Sequence, residues 1–228
     1  MAESRRLKYF FVQSLTLGRA PLIFIFLAVS LFGPQTLSSF WFSIAFGAMI
    51  LSAVSDLFDG YFARKFEVVS RLGAYADPLT DKIFYLTAFP TLVFLAARDG
   101  MVGDGLGHAK LLLGLAILFL LRDQWVSFLR SIGALYNMDA KANWSGKART
   151  AISFPAICVI YYYLQAPANW ILQREESKEY VAYLVYGLEV ASMTINVISI
   201  GVYTSYYWPC LKKEMRLPEK KKKKDNQD

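Results

Sequence analysis

Residues 56–81 read DLFDGYFARKFEVVSRLGAYADPLTD, and the fold turns on how the acids in this stretch are spaced and what flanks them. Asp56 and Asp59 are three residues apart, and Asp77 and Asp81 are four apart. Those are the spacings that put two side chains on one helix face, so each pair projects from one side of its own helix. The stretch FWFSIAFGAMILSAV (40–54) runs into the first pair, and IFYLTAFPTLVFLAA (83–97) runs out of the second. The acids therefore close one apolar helix and open the next.

Composition says what surrounds those helices. The 228 residues are 55% hydrophobic and 16% aromatic, with mean hydropathy +0.32, which is too apolar for an ordinary soluble domain and places the chain in a lipid bilayer. The two cysteines, Cys158 and Cys210, match no metal or redox spacing and are given no role. The single histidine, His108, falls in a glycine-rich stretch and is expected to be a solvated loop side chain.

Working outward, Met1 to Leu17 is basic at Arg5, Arg6 and Lys8, then aromatic at Tyr9, Phe10 and Phe11. It reads as an amphipathic helix on the membrane surface, not as a cleaved signal. Pro21 suits the first turn of a new helix, so a first span is expected from Pro21 to just before Pro34. Further spans are expected over Phe40–Lys65, Gly73–Ala97 with a kink at Pro90, Lys110–Leu135, Thr150–Gln165 and Tyr180–Trp208. The fold class is thus all-α: a polytopic membrane protein with six transmembrane helices and an N-terminal surface helix. Three regions follow: 1–20 as the surface segment, 21–210 as the six-span domain, and 211–228 as a basic, disordered tail.

The N-terminus, the 64–72 and 136–149 loops and the tail carry Lys and Arg, whereas the 34–39, 98–107 and 168–179 loops are not basic. Both termini and the acids therefore face the cytoplasm. The run Lys220–Lys224 reads as a solvated tail drawn to anionic headgroups, with no nucleic-acid role. Trp41, Trp170, Tyr161–Tyr163, Tyr206 and Tyr207 lie near expected span ends, where interfacial anchors belong.

Counting inward from Gly73, Asp77 lies roughly 6 Å and Asp81 about 12 Å into the third span, and Asp56 and Asp59 share that layer. A carboxylate near the bilayer centre costs roughly 2.5 kcal/mol or more. Four together repel one another, and divalent cations reverse that balance: hard oxygen ligands suit Mg2+ or Mn2+.

The stretch also fits D-x2-D-G-x2-A-R-x8-G-x3-D-x3-D at its eight fixed positions, Asp56, Asp59, Gly60, Ala63, Arg64, Gly73, Asp77 and Asp81. Chance produces such a match about once in 10^10 windows. The pattern resembles the signature of the CDP-alcohol phosphotransferases, membrane enzymes that move a phosphatidyl-type group from a CDP-linked donor to an alcohol. The resemblance implies that Asp56, Asp59 and Asp77 hold a pair of Mg2+ or Mn2+ ions, with Asp81 at the same ions as general base. It further implies that Asp56, Gly60, Ala63, Arg64 and Gly73 bind the CDP donor. Family members are usually homodimers, which makes a second copy an expected partner beside the bilayer.

Four more cations bear on the acceptor. Arg122 and Arg130 lie broadly on one face of the fourth span, and Lys147 and Arg149 in WSGKART lead into the fifth. Together they form a cationic wall suited to the phosphate of a small phosphorylated alcohol. An arginine–acid pair, a second arginine and a GKxKT-like segment, here GKART, resemble the phosphatidylglycerophosphate synthase branch. That implies transfer from CDP-diacylglycerol to glycerol 3-phosphate. Asp123 after Arg122 also resembles cardiolipin synthases of the superfamily, so phosphatidylglycerol and inositol phosphate stay open as acceptors. Acids inside spans also mark ion pathways, but a transporter spreads them through the whole depth. Here they gather at one edge, apart from Glu189, which is expected to bond Asn196 or another helix, or to line a subunit contact.

Overall fold

The computed structural model describes residues 2–34, 37–66, 71–99, 105–138, 144–167, 170 and 175–215. Among them are six helices and no strand: α1 (Ala2–Phe32), α2 (Ser39–Lys65), α3 (Arg71–Asp99), α4 (Gly105–Leu135), α5 (Trp144–Gln165) and α6 (Glu175–Glu214). The helices number and fall as the apolar runs do, because each run is bounded by a loop rich in Gly, Pro, Asn or charge. The basic tail and most residues of the loops lie outside the described residues.

Two halves share α3 and α5. α1 packs along α2 and α3, while α4 packs on α3 and α6, and α5 is wedged against α6, α3 and α2. Aromatic side chains fill the joint between α1, α2 and α5. Phe42 stacks on Tyr161 with centroids 5.9 Å apart, Trp170 meets Phe42 edge-on at 5.0 Å, and Ser30 donates a hydrogen bond to the Tyr161 hydroxyl at 3.1 Å. Tyr161, Tyr163 and Tyr207 are buried, so these three are core residues and not the interfacial anchors their positions suggest.

Three expected boundaries move. α1 runs unbroken through Pro21, so no helix end separates a surface segment from a first span. A proline removes one backbone donor, and a helix packed along two neighbours tolerates that loss. α5 starts at Trp144, not Thr150, which puts Lys147 and Arg149 on its first two turns and not in a loop. α4 starts at Gly105, which lifts His108 out of the glycine-rich loop and into the helix.

His108 is the clearest correction. It is 3% exposed, and its Nε2 lies 2.8 Å from Glu189 Oε1 on α6. The only histidine, expected in water, is instead the partner of the buried glutamate, which does bond another helix. Replacing His108 with Leu should lower stability by about 3 kcal/mol or more, because it leaves a buried carboxylate without its partner. Thermal unfolding in detergent should show that loss, and the double variant His108→Leu/Glu189→Leu should recover most of it.

The C-terminal end of α4 closes with a hydrogen-bonded cap. Met138 N–H reaches the Gly133 carbonyl at 3.0 Å, Asn137 N–H reaches the Ala134 carbonyl at 3.2 Å, and Asn137 has φ 52°. Asparagine tolerates that left-handed conformation better than most residues. Gly133 itself lies against the ring of Tyr207, in a space a Cβ would occupy. Gly133→Ala should therefore destabilise the α4–α6 contact by about 1–3 kcal/mol, read as a lower melting temperature.

α4 over Leu106–Leu135 and α6 over Glu179–Glu214 are each long and apolar enough to cross a membrane. Among the described residues, Ser39–Ser55 of α2 and Leu17–Phe32 of α1 form shorter apolar stretches. Large apolar side chains such as Phe24, Leu51, Leu86, Leu121 and Val197 point outward from five of the helices, more apolar surface than a water-soluble monomer usually exposes. These features are those of a membrane protein.

Candidate active site

The signature residues fall where the sequence places them along the helices. Asp56, Asp59, Gly60, Ala63 and Arg64 belong to the last turns of α2, and Gly73, Asp77 and Asp81 to the first turns of α3. The side chains of these eight residues lie outside the described residues. What the helices establish is the order: both pairs sit at the ends of α2 and α3 that the 67–70 connection joins.

The acceptor candidates come together. Arg122, Arg130, Lys147 and Arg149 all line one cavity of about 610 Å3 between α3, α4, α5 and α6. α3 adds Lys82, the residue after Asp81, and α6 adds Tyr203. Among the described residues, five basic side chains and one carboxylate, Asp123, thus face this space. Lys82, Arg130 and Lys147 are exposed while Arg122 is buried and Arg149 half-buried, so the positive charge extends from the mouth of the cavity to its wall, where it attracts an anion.

Asp123 ties two of the arginines to each other. Its Oδ1 accepts from Arg122 Nη1 at 3.0 Å and from Arg149 Nη1 at 2.8 Å, joining α4 to α5. The guanidinium of Arg149 lies over the Phe119 ring at 4.3 Å, and its Nε is buried without a hydrogen-bond partner. Arg122, 4% exposed, also donates from Nε and Nη2 to Ser199 Oγ at 3.0 and 2.6 Å. Arg130 Nη2 donates to the Tyr203 hydroxyl at 3.0 Å, and both Arg122 and Arg130 sit over that ring, at 5.2 and 5.4 Å. The Arg122–Asp123 ion pair is one arm of a larger network and does not remove Arg122 from the cavity wall.

Gly146 lets α5 approach α6 here. A Cβ at that position would lie 3.1 Å from the Tyr203 hydroxyl and 3.8 Å from Arg122 Nη2. Gly146 is the glycine of WSGKART, so this segment gives the site both its charge and its closeness.

A second cavity, of about 300 Å3, adjoins the first and shares Tyr85, Arg149, Thr150 and Ala151 with it. Its far wall is Arg19 of α1 and Ser52–Val54 of α2, the turn that leads into Asp56. Arg149 therefore stands between the basic cavity and the helix that carries the first acid pair. Sequence reasoning missed Lys82, Ser199 and Tyr203. A lysine inside an apolar span was the available signal for the first. For the other two it was the α6 stripe Glu189, Ser192, Asn196, Ser199 and Tyr203, polar residues every three or four positions along an apolar helix and all buried.

Comparison with known proteins shows the family of the chain. The CDP-alcohol phosphatidyltransferase family profile matches residues 12–198, which covers α2 to α5 and α6 as far as Ile198, short of Ser199 and Tyr203. CDP-diacylglycerol–glycerol-3-phosphate 3-phosphatidyltransferase 1 of Arabidopsis thaliana, chloroplastic/mitochondrial, is 28% identical over 205 residues, covering 87% of this chain and 63% of that protein. The enzyme of the same name from Mycoplasma pneumoniae is 26% identical over 175 residues, with 75% of this chain and 70% of that protein covered. That from Cereibacter sphaeroides is 33% identical over 122 residues, 53% of this chain and 49% of that protein. The chain thus spans less than two thirds of the Arabidopsis protein and about half of the Cereibacter one.

Proposed function

Because this chain belongs to the CDP-alcohol phosphatidyltransferase family, we propose that its basic cavity receives glycerol 3-phosphate and that the acids of α2 and α3 receive the head of CDP-diacylglycerol. The products are phosphatidylglycerol phosphate and CMP. One observation carries the acceptor: among the described residues five basic side chains and one carboxylate line the cavity, and one of the five, Arg149, has a buried Nε without a hydrogen-bond partner. A phosphomonoester supplies the missing charge and the missing acceptor oxygen together. The names of the relatives favour glycerol 3-phosphate as its bearer.

In this reading Arg122, Arg130, Lys147 and Arg149 grip the acceptor's phosphate, and its free hydroxyl points toward α3. Asp81, one residue before the cavity-lining Lys82, takes the hydroxyl proton as the oxygen attacks the donor's β-phosphorus. The bond from that phosphorus to the oxygen of CMP breaks, and CMP leaves. Gly60, Ala63 and Gly73 leave room for the nucleotide, and Arg64 pairs with its phosphates. The four carboxylates Asp56, Asp59, Asp77 and Asp81 are hard oxygen donors at helix-face spacing, a set that suits Mg2+ or Mn2+. Bound there, such ions offset the charge of the donor's pyrophosphate.

We place all six helices across the bilayer, with the termini and the site on the cytoplasmic side. The supports are the loop charges and the outward apolar belt. The donor's acyl chains then stay in lipid while the acceptor arrives from water. Purified protein given CDP-diacylglycerol and, separately, glycerol 3-phosphate, inositol phosphate or phosphatidylglycerol tests the assignment by mass spectrometry of the lipid product. Phosphatidylglycerol phosphate with the first acceptor alone is the expected result. A product with either of the others and none with glycerol 3-phosphate would reassign the acceptor.

A further inference from the structure

A guanidinium has five N–H groups, and Arg122 commits three of them to protein partners. Nε and Nη2 donate to Ser199 Oγ at 3.0 and 2.6 Å, and Nη1 donates to Asp123 Oδ1 at 3.0 Å. One N–H on each terminal nitrogen is left over among the described residues. A guanidinium can grip an oxyanion as a fork along the Nε–Nη2 edge or across the two terminal nitrogens. Ser199 closes the first edge of Arg122 with one hydroxyl oxygen. Arg149 shows the opposite pattern: Nη1 goes to Asp123, its Cζ lies 4.3 Å over the Phe119 ring, and Nε is buried without a protein partner.

We infer that Ser199 is a positioning residue that sets which edge of Arg122 meets the acceptor's phosphate, and that Asp123 locks Arg149 in the complementary orientation. The inference rests on the phosphate reading of the cavity and adds to it how two arginines present different edges to one anion. Ser199 is fully buried and lies beneath Arg122, so it orients the guanidinium without touching substrate. Asp123 serves both arginines through one oxygen, so their orientations are coupled: moving either guanidinium costs the other its partner.

The α6 stripe explains why the orienting group is a serine. Ser199 lies four residues before Tyr203, whose hydroxyl accepts from Arg130, so one helix face holds two cavity arginines at once. α6 thereby becomes part of acceptor recognition while contributing no charge to it. A small hydroxyl suits a helix packed this closely on α4 and α5, where a longer acceptor side chain would displace the guanidinium from the wall.

The test compares Ser199→Ala with Ser199→Thr, which keeps the hydroxyl. In Ser199→Ala the KM for glycerol 3-phosphate should rise about tenfold or more, the scale of a lost hydrogen bond to a charged group, with the KM for CDP-diacylglycerol unchanged. Inhibition by inorganic phosphate should weaken in parallel, and Ser199→Thr should restore both. An Ala variant that melts like wild type yet keeps both the KM for glycerol 3-phosphate and the phosphate inhibition constant would overturn the inference. So would a fall in kcat with both KM values unmoved. Asp123→Asn, which keeps one acceptor oxygen without the charge, should weaken phosphate inhibition as well; unchanged inhibition would count against the coupling. If wild-type protein turned over no acceptor, the transferase reading would fall. Equilibrium binding of inorganic phosphate to wild type and Ser199→Ala would then still decide the orientation claim.

Discussion

Asp81→Asn is expected to abolish phosphatidyl transfer while leaving CDP-diacylglycerol binding largely intact. Asparagine keeps the shape and one oxygen but cannot take a proton, so the acceptor hydroxyl stays protonated at the moment of attack. Loss of general-base catalysis costs about 10^2–10^4-fold, which brings turnover to the floor of a CMP-release assay. Asp56, Asp59 and Asp77 remain to organise the donor's pyrophosphate. Complete loss of CDP-lipid binding in Asp81→Asn would instead place Asp81 among the groups that hold the donor. The position of Lys82 in the basic cavity makes the distinction testable, because it sets the Asp81 turn of α3 beside the cavity proposed for the acceptor.

Arg149→Lys is expected to lower kcat/KM for glycerol 3-phosphate by about 100-fold or more, equivalent to about 3 kcal/mol of transition-state stabilisation. The charge is kept, so attraction of the anionic acceptor into the cavity survives. What is lost is geometry: the flat group over Phe119 at 4.3 Å, the bond to Asp123 at 2.8 Å and the buried Nε donor cannot all be supplied by an ammonium. Since Arg149 lines both cavities, kcat should fall along with the rise in KM. Steady-state kinetics in mixed micelles, with each substrate varied in turn, separates the two. A KM change alone would confine Arg149 to acceptor binding.

The parts of this molecule that were legible in sequence are those set by short-range pattern. The six helices follow from apolar runs, and the paired acids follow from spacings of three and four within 26 residues of chain. Gathering of Arg122, Arg130, Lys147 and Arg149 was also legible, because charges placed in or beside spans must share polar space. Pro21 misled because a proline is both a helix starter and a tolerated interruption, and only packing of α1 on its neighbours decides between them. His108 misled because its flanking glycines read as loop, while its partner Glu189 is 81 residues away on α6. Ser199 and Tyr203 were missed for the same reason: a serine and a tyrosine in an apolar helix acquire meaning only from the arginines they meet, 77 and 73 residues earlier. Long-range pairing of this kind leaves no periodic trace in the local sequence beyond a polar stripe.

The most direct measurement is CMP release by the purified protein in mixed micelles of CDP-diacylglycerol, with glycerol 3-phosphate present or absent and with Mg2+ present or chelated. CMP should appear in step with phosphatidylglycerol phosphate only when acceptor and Mg2+ are both supplied, Mn2+ serving in its place. Undiminished release after exhaustive chelation, or none with any divalent ion, would contradict it.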